Sequence, residues 1–392
     1  MVPIGEQKVS FKKDEVLVLL GAGASVDAGI PHSAKMVEFI QDSLEKDWKK
    51  YKGLYDYVRS AIYYADGIMG TYDVAYNIER LVVSLDELSR REEHPLYLFI
   101  GAWNPRLTQV AGPAFETVGE FRNEILEKLR REWIEIPNYD RASYYSGLIR
   151  FQKELNYPLR VFSLNYDLCV ERAYQAEYQE YPERGFEKSE VRWWTHQLLE
   201  EGSPADKNLY LYKLHGSIDW NREPNTGKLT YSDSSSTIKV EEAALIFGTA
   251  YKLQYVDPFL FLVYQLRRWS LEARLILVVG YGFGDEHINS ILCQALRANS
   301  EKQLFAVMWD GSSNGDGDVA RFKKWGTKQL GIESDKQVNV VVSTAKDFLG
   351  DQLSIATVSK VFPPEEELFE EIHAEDAPVG AVDDAPRLAT AI

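Results

Sequence analysis

Val16-Leu17-Val18-Leu19-Leu20-Gly21-Ala22-Gly23-Ala24-Ser25-Val26-Asp27-Ala28-Gly29-Ile30-Pro31 is the stretch whose reading decides the fold. Val16 to Leu20 has no polar face, the pattern of a strand buried on both sides, as in a parallel sheet. The run ends in a Gly-Ala-Gly turn, and a helical pattern follows. Gly21 and Gly23 allow a sharp turn and a close approach of backbone to a ligand, because no Cβ stands in the way. The N–H groups and positive dipole end of the next helix suit a pyrophosphate. Two readings stay open here: a nucleotide seat, or an ordinary tight strand-to-helix turn, since a Gly-x-Gly by itself is a weak fingerprint.

The rest of the chain supplies context. Its 392 residues suffice for two or three domains with a large core. A hydrophobic fraction of 45% and a charged fraction of 27% fit a soluble globular protein. No apolar run reaches the roughly 18 residues of a membrane span, and the polar stretch Met1–Lys13 has no signal-peptide core. A cytoplasmic protein away from membranes is expected. Cys169 and Cys293 lie too far apart in sequence for a Cys-x-x-Cys zinc site, and the six histidines are scattered, so no metal is expected. A net charge of −16 argues against direct nonspecific binding of nucleic acid, which needs an excess of Lys and Arg.

Along the chain, Ser33 can cap a helix from about Ala34 to Trp48, with Met36, Val37, Ile40, Leu44 and Trp48 on one face. Residues 46–157 show few strand signals. Ile78, Leu81, Val82, Leu85 and Leu88 recur at helical spacing, as do Phe121, Ile125, Leu129 and Trp133, and this segment reads as a helical insertion interrupted near Pro95 and between Trp103 and Pro113. Ser143 to Asn156 reads as a helix leading back to the sheet. Strand-like runs follow at Leu159–Leu164, Leu209–Leu214, Ala243–Phe247, Leu275–Val279, Leu304–Trp309 and Val338–Val342, most of them separated by helical patterns. Asp257-Pro258 and Asp285 read as starts of two such helices, and Gly311–Asp318 as a flexible loop. Alternating strands and helices predict an α/β fold built on a doubly wound parallel sheet. Residues 14–45 and 158–356 form its two parts, and the acidic stretch 363–392 is expected to be a disordered tail.

Four strand ends carry chemistry. Ser163-Leu164-Asn165-Tyr166-Asp167 places an Asn and an Asp where open α/β sheets bind ligands, suited to orient a ribose, an amide and a water, or else to cap a helix. Lys213-Leu214-His215-Gly216-Ser217 places a histidine in backbone that can approach a ligand, with chemistry suited to proton transfer. Ile246-Phe247-Gly248-Thr249 is the third. Val279-Gly280-Tyr281-Gly282-Phe283-Gly284-Asp285 is a second glycine turn, able to hold the other end of a long nucleotide. His287, just beyond it, reads as a surface or first-turn residue.

In this order the motifs resemble the sirtuin family. The family's Gly-Ala-Gly-x-Ser-x-x-x-Gly-Ile-Pro loop matches Gly21–Pro31 at every fixed position. Its Thr-Gln-Asn-x-Asp segment corresponds to Ser163–Asp167, its catalytic His-Gly to His215-Gly216, its Phe-Gly-Glu to Phe247–Thr249 and its late Val-Gly-Thr-Ser-Leu loop to Val279–Phe283. Ser343-Thr344-Ala345 falls where the family closes over the adenine end. The resemblance covers about residues 14–45 and 158–350. It implies NAD as the bound nucleotide, held by Gly21, Ala22, Gly23, Ser25, Gly29, Ile30 and Pro31 with Gly280, Tyr281, Gly282 and Phe283, and catalysis by Asn165, Asp167 and His215.

Departures from the family pattern sharpen the expectation. Protein-deacylating sirtuins carry a four-cysteine zinc module between the His-Gly and Phe-Gly segments, and Asp219–Ala244 contains no cysteine. The family's Asp-Phe-Arg, whose Phe shields the reactive ribose carbon, is replaced by His32-Ser33-Ala34, which favours water as nucleophile. Ser163 and Thr249 replace a Thr and a Glu of the family. The pattern is most similar to bacterial sirtuin-like NAD hydrolases of antiphage defence, in particular the sirtuin-like partner of a HerA-type hexameric ATPase. That resemblance implies an NAD glycohydrolase that releases nicotinamide and ADP-ribose, a homo-oligomer regulated by assembly, and NAD depletion during infection. The alternatives are an NAD-dependent protein deacylase or ADP-ribosyltransferase, or a module that binds NAD or ADP-ribose without cleaving it.

Overall fold

The structure, a computed structural model, describes residues 10–71, 75–89, 105–200, 207–247, 257–309, 311 and 316–362. The expected acidic tail, Gly248-Thr249, the breaks near Pro95 and Trp103, and part of the Gly311–Asp318 loop lie outside them.

The strands are β1 (Val16–Leu20), β2 (Leu159–Ser163), β3 (Leu209–Lys213), β4 (Gly216–Arg222), β5 (Leu229–Tyr231), β6 (Ala243–Leu245), β7 (Leu275–Val279), β8 (Gln303–Met308) and β9 (Val338–Val342). Six of them form one sheet in the order β3-β2-β1-β7-β8-β9, with every pair parallel. Taken in chain order within that sheet the sequence of strands is 3-2-1-4-5-6, the doubly wound order that reverses direction between its first and fourth members. Those two are β1 and β7, paired from Val16↔Leu275 to Leu20↔Val279.

β1 shows why its run of five apolar residues reads as a strand with two covered faces. Val16, Val18 and Leu20 belong to one core cluster and Leu17 and Leu19 to the other, all at most 2% exposed. The alternation is the strand's period of two, with core on both sides. β7 divides in the same way, Leu275, Leu277 and Val279 against Ile276 and Val278.

The long helices are α1 (Ser33–Leu44), α2 (Lys52–Met69), α3 (Ile78–Ser89), α4 (Pro105–Ala111), α5 (Glu116–Lys128), α6 (Ser146–Leu155), α7 (Cys169–Tyr178), α8 (Phe259–Glu272), α9 (Glu286–Ala298) and α10 (Asp316–Leu330). α6 and α7 cover the face of the sheet that carries Val18, and α8 and α9 cover the face that carries Leu17. α1 to α5 bury a third cluster of their own, from Met36, Val37 and Ile40 through Leu81, Val82 and Leu85 to Phe121, Ile125 and Trp133. Leu168, Ile218 and Phe247 join that cluster and so fasten the helical layer over the carboxyl edge of the sheet.

Four sequence expectations change. Ala243–Phe247 supplies no strand to the parallel sheet: Ala243–Leu245 pairs antiparallel with β4, which also pairs with β5, in a separate three-stranded sheet. The first long helix is capped by His32, whose Nδ1 accepts from the Lys35 N–H at 3.3 Å, and ends at Leu44 rather than Trp48. Pro258, with no side-chain cap, precedes α8 in place of an Asp257 cap. Asp316 to Asp318 are helical rather than loop.

A tight constraint lies at the sheet's reversal point. Gly23 N–H donates to Gly280 O at 2.8 Å, and Gly21 N–H to Val279 O at 3.0 Å. A Cβ on Gly280, whose φ is +64°, would lie 2.1 Å from Ala24 N; one on Gly21 would lie 2.6 Å from Tyr281 Cα. These glycines let two backbone turns touch. Gly282 is next door with nothing within 4 Å of its missing Cβ. Gly280→Ala should therefore cost at least about 2 kcal/mol in denaturant unfolding or prevent folding, while Gly282→Ala should stay within about 0.5 kcal/mol of the parent.

Candidate active site

All six parallel strands end at one cavity of about 710 Å³. Ala22 and Gly23 reach it from the end of β1, Asn165, Tyr166 and Asp167 from β2, His215 from β3, Gly280 to Gly282 from β7, Trp309 from β8 and Ser343 to Ala345 from β9. The helical layer supplies Met36, Asn77, Ile78 and Glu79 to the lining, and Phe247 lines it as well. The location follows from topology, because connections leave in opposite directions at the reversal point and open a crevice beyond the carboxyl ends.

Ser25, 1% exposed, is the hub beneath this floor. Its Oγ donates to Asp167 Oδ2 at 2.7 Å, accepts from Asn165 Nδ2 at 3.1 Å and lies 2.8 Å from the Tyr145 hydroxyl. Asn165 Nδ2 also donates to Gly21 O at 2.9 Å. Both amide protons are thus committed to protein, and the amide oxygen is the part of Asn165 left to meet a ligand. Asp167 is committed at both oxygens: Oδ2 to Ser25, and Oδ1 accepts the Cys169 N–H at 3.0 Å in the first turn of α7. Asp167 stands one residue before the N-cap of α7, Leu168, which has no side-chain cap, and its place is to position Ser25 and the start of α7.

His215, 6% exposed, has its Nε2 3.3 Å from Asp285 Oδ2. Asp285 Oδ1 accepts the N–H groups of His287 and Ile288 as the cap of α9. One carboxylate thereby begins a helix and faces the imidazole. Gly216, φ +86°, lets His215 turn into the cavity, and its missing Cβ would lie 2.0 Å from Ala244 O. The space beside the His-Gly pair is filled by β6, so this glycine serves chain packing, not approach of a ligand. The Ile246 N–H donates to His215 O at 3.0 Å and fixes the same turn.

Behind His215 and Asp167 lies a buried charge group. Arg184 Nη1 meets Asp219 Oδ2 at 2.8 Å and Glu171 Oε1 at 3.4 Å, and Lys213 Nζ lies 3.5 Å from the same Glu171 oxygen. Lys213 also donates to Asp167 O. Burial pushes the Glu171 carboxyl up, against the opposite pull of Lys213 and Arg184. Two bases and two acids in contact limit the cost of burying each charge. The group ties α7 to the end of β3 and the middle of β4, and hence Asp167 to His215.

Burial also raises the hydroxyls of Tyr145, Tyr166 and Tyr281 well above the usual tyrosine value, so these groups donate hydrogen bonds and stay neutral. It raises the Cys169 thiol likewise, which removes it as a nucleophile near neutral pH. Among the described residues no group of three His, Cys, Asp or Glu side chains is placed to hold a metal ion, and no helix is long and apolar enough to cross a membrane.

Of the residues singled out in the sequence, Asn165, Asp167, His215, Ala22, Gly23, Ile30, Pro31, Gly280, Tyr281 and Gly282 line the cavity. Four do not. Gly21 lies beneath it against Tyr281, and Ser25 is the buried hub. Gly29 has the Arg141 guanidinium over its α-carbon. Phe283 is 1% exposed, its ring packed on Tyr281 at 5.1 Å, and it belongs to the core. The expected helix after Gly23 is a single 3₁₀ turn, Ala22–Ser25, and the N–H groups of Gly21, Gly23 and Ala24 bond to Val279, Gly280 and Gly21 carbonyls. A phosphate is thus not offered the N-terminus of a long helix there.

Sequence reasoning passed over Asp285, read only as a cap, and over Glu79, Asn77 and Trp309. Asp285 could have been found from its place at the end of the Gly280–Gly284 turn; the helical-layer residues carry no local signal.

Comparison with known proteins gives one family match: the SIR2-like domain, over residues 159–330. No curated protein matches the chain. Among solved structures, a Sir2 homolog–NAD complex is similar over 88% of this chain and 89% of that one, at 15% identity and a TM-score of 0.39. A mutant Sir2 homologue with ADP ribose aligns over 91% and 93%, at 13% identity and a TM-score of 0.40.

Ser25→Ala removes the common partner of Asp167, Asn165 and Tyr145. It should lower unfolding free energy by about 1–3 kcal/mol, measured by denaturant titration.

Proposed function

We propose that this protein hydrolyses NAD at the bond between nicotinamide and ribose. The observation that carries the reading is that His215, 3.3 Å from its carboxylate Asp285, and Asn165, whose amide nitrogen is committed to Gly21 O and Ser25 Oγ, line one cavity at the sheet's reversal point. The match of residues 159–330 to the SIR2-like domain supports it, as does the order of the motifs.

In this reading NAD lies along the crevice, its diphosphate at the Ala22-Gly23 and Gly280–Gly282 turns and its nicotinamide ribose at Asn165 and His215. The glycosidic bond breaks with its electron pair leaving on the nicotinamide nitrogen. The ribose carbon passes through an oxocarbenium-like state, and a water oxygen bonds to it. Asn165 Oδ1 orients that water or a ribose hydroxyl. Asp285, at 3.3 Å from Nε2, favours the proton on that nitrogen and leaves Nδ1 as the base that takes the water's proton. The same carboxylate stabilises the imidazolium that results. Most of the rate then comes from positioning and electrostatics, because little covalent chemistry falls to the protein.

Protein deacylation needs a peptide to reach the reactive ribose. His32 and Ser33 line the cavity where the family's shielding Phe is expected, which supports water as the acceptor. The resemblance extends the proposal to antiphage defence by NAD depletion, through a homo-oligomer working with a HerA-type ATPase. NAD consumption with and without such a partner tests that extension.

Nicotinamide release, followed by chromatography with and without acetylated peptide, tests the chemistry. Release is expected without peptide. Asn165→Ala and His215→Ala should lower it about a hundredfold or more. Asp285→Asn, which keeps a capping oxygen, should lower kcat about tenfold or more with KM within threefold. Peptide-dependent release, or unchanged turnover in folded His215→Ala, would overturn the assignment.

A further inference from the structure

α8 is packed on one face and open on the other. Phe259, Leu262, Leu266 and Trp269 are buried in the core it shares with the sheet and α9. On the outer side Leu260 is 50% exposed, Tyr264 57% and Leu271 38%, and Arg267 is exposed among them. At about 100° per residue these four fall within about 60° of one another, in a stripe about 16 Å long. Glu272, the acid of α8, stands about 100° off that line. Arg267 Nε donates to Gln294 Oε1 at 3.4 Å, and among the described residues no carboxylate pairs with it. An apolar stripe with one arginine in it fits an amphipathic helix that carries acids beside its apolar side chains.

The chain itself holds such a segment, and it begins beside the carboxyl end of the stripe. Phe362, the last described residue, has the Arg274 guanidinium over its ring, 4.5 Å from the centroid. Arg274 is the second residue past α8. That end of α8 is fixed by the buried Lys302, whose Nζ donates to Leu271 O at 3.2 Å and to Ala273 O. Beyond Phe362 the sequence reads Pro363-Pro364-Glu365-Glu366-Glu367-Leu368-Phe369-Glu370-Glu371-Ile372. Proline followed by acids is a helix-start signal, because the ring suits the first turn and the carboxylates suit its dipole. Leu368, Phe369 and Ile372 share one side of such a helix. A segment this acidic has too little apolar surface to order alone and orders against another surface.

We infer that residues 365–372 dock as an acidic helix on the outer face of α8. Leu368 and Ile372 cover Tyr264 and Leu271, and the glutamates beside them face Arg267. Entering at the Phe362 end and running towards Leu260, the segment lies antiparallel to α8 and spans about 12 Å of the stripe. This contact is separate from the cavity and does not depend on the hydrolase reading.

Hydrogen–deuterium exchange on the full chain tests it, with one double variant on each side of the contact: Tyr264→Asp with Leu271→Asp, and Leu368→Asp with Ile372→Asp. In the parent, amides of residues 365–372 should exchange at least about tenfold more slowly than an unstructured chain. Each double variant should return them to the unstructured rate while β1 keeps its protection. Hydroxyl-radical labelling of Tyr264 should rise about threefold in the Leu368→Asp, Ile372→Asp protein, which decides the matter if the α8 variant fails to fold. Unstructured exchange in the parent, protection that survives the α8 substitutions, or unchanged labelling of Tyr264 overturns the inference. Protection that is lost on dilution assigns the segment to α8 of a second copy, and overturns docking within one chain.

Discussion

Two glycine turns in backbone contact set the geometry of this molecule. The Gly23 N–H bond to Gly280 O closes the gap between the ends of β1 and β7, and no side chain fits between them. That contact fixes where the crevice begins. It also explains why glycine is required at both turns on grounds that involve no ligand: each occupies the space where the other's Cβ would stand. The nucleotide seat proposed above is a consequence of this contact, since two turns packed this closely present adjoining rims to whatever lies over them.

The chemistry is held from below, by groups that do not meet the ligand. Ser25 gathers Asp167, Asn165 and Tyr145 on one hydroxyl, and the Arg184, Lys213, Glu171 and Asp219 group joins α7 to the strand ends that carry Asp167 and His215. A side chain in this site is poised because its remaining hydrogen-bonding capacity is already satisfied. Asn165 lines the cavity with its nitrogen committed to Gly21 O and Ser25 Oγ, and His215 stands against a carboxylate that a helix end holds in place.

The sheet was legible in the sequence where its strands are covered on both faces. β1, β2, β3, β7 and β8 are unbroken apolar or nearly apolar runs, and each stands within a residue of its expected bounds. The small antiparallel sheet was not. β4 is Gly-Ser-Ile-Asp-Trp-Asn-Arg, and its Asp219 is buried only because Arg184, distant in sequence, meets it. Ala243–Phe247 looks like a parallel strand by composition, but it pairs antiparallel with β4. At the site, motif order brought out Asn165 and His215, because glycine punctuation marks strand ends. Asp285 was hidden behind a second, sufficient role as a cap. Glu79 and Asn77 were invisible because only the fold of the helical layer brings them over the sheet. Gly29 and Phe283 fall within the motifs, yet one turns beneath a guanidinium and the other is core.

The central claim is that a dinucleotide lies across the carboxyl edge of the sheet with its reactive ribose at His215. A crystal structure of the protein with ADP-ribose tests it most directly. The account predicts the diphosphate over the Ala22-Gly23 and Gly280–Gly282 turns and the terminal ribose within hydrogen-bonding distance of Asn165 Oδ1 and the His215 ring. ADP-ribose bound elsewhere, or with its terminal ribose at the β9 end, would contradict it.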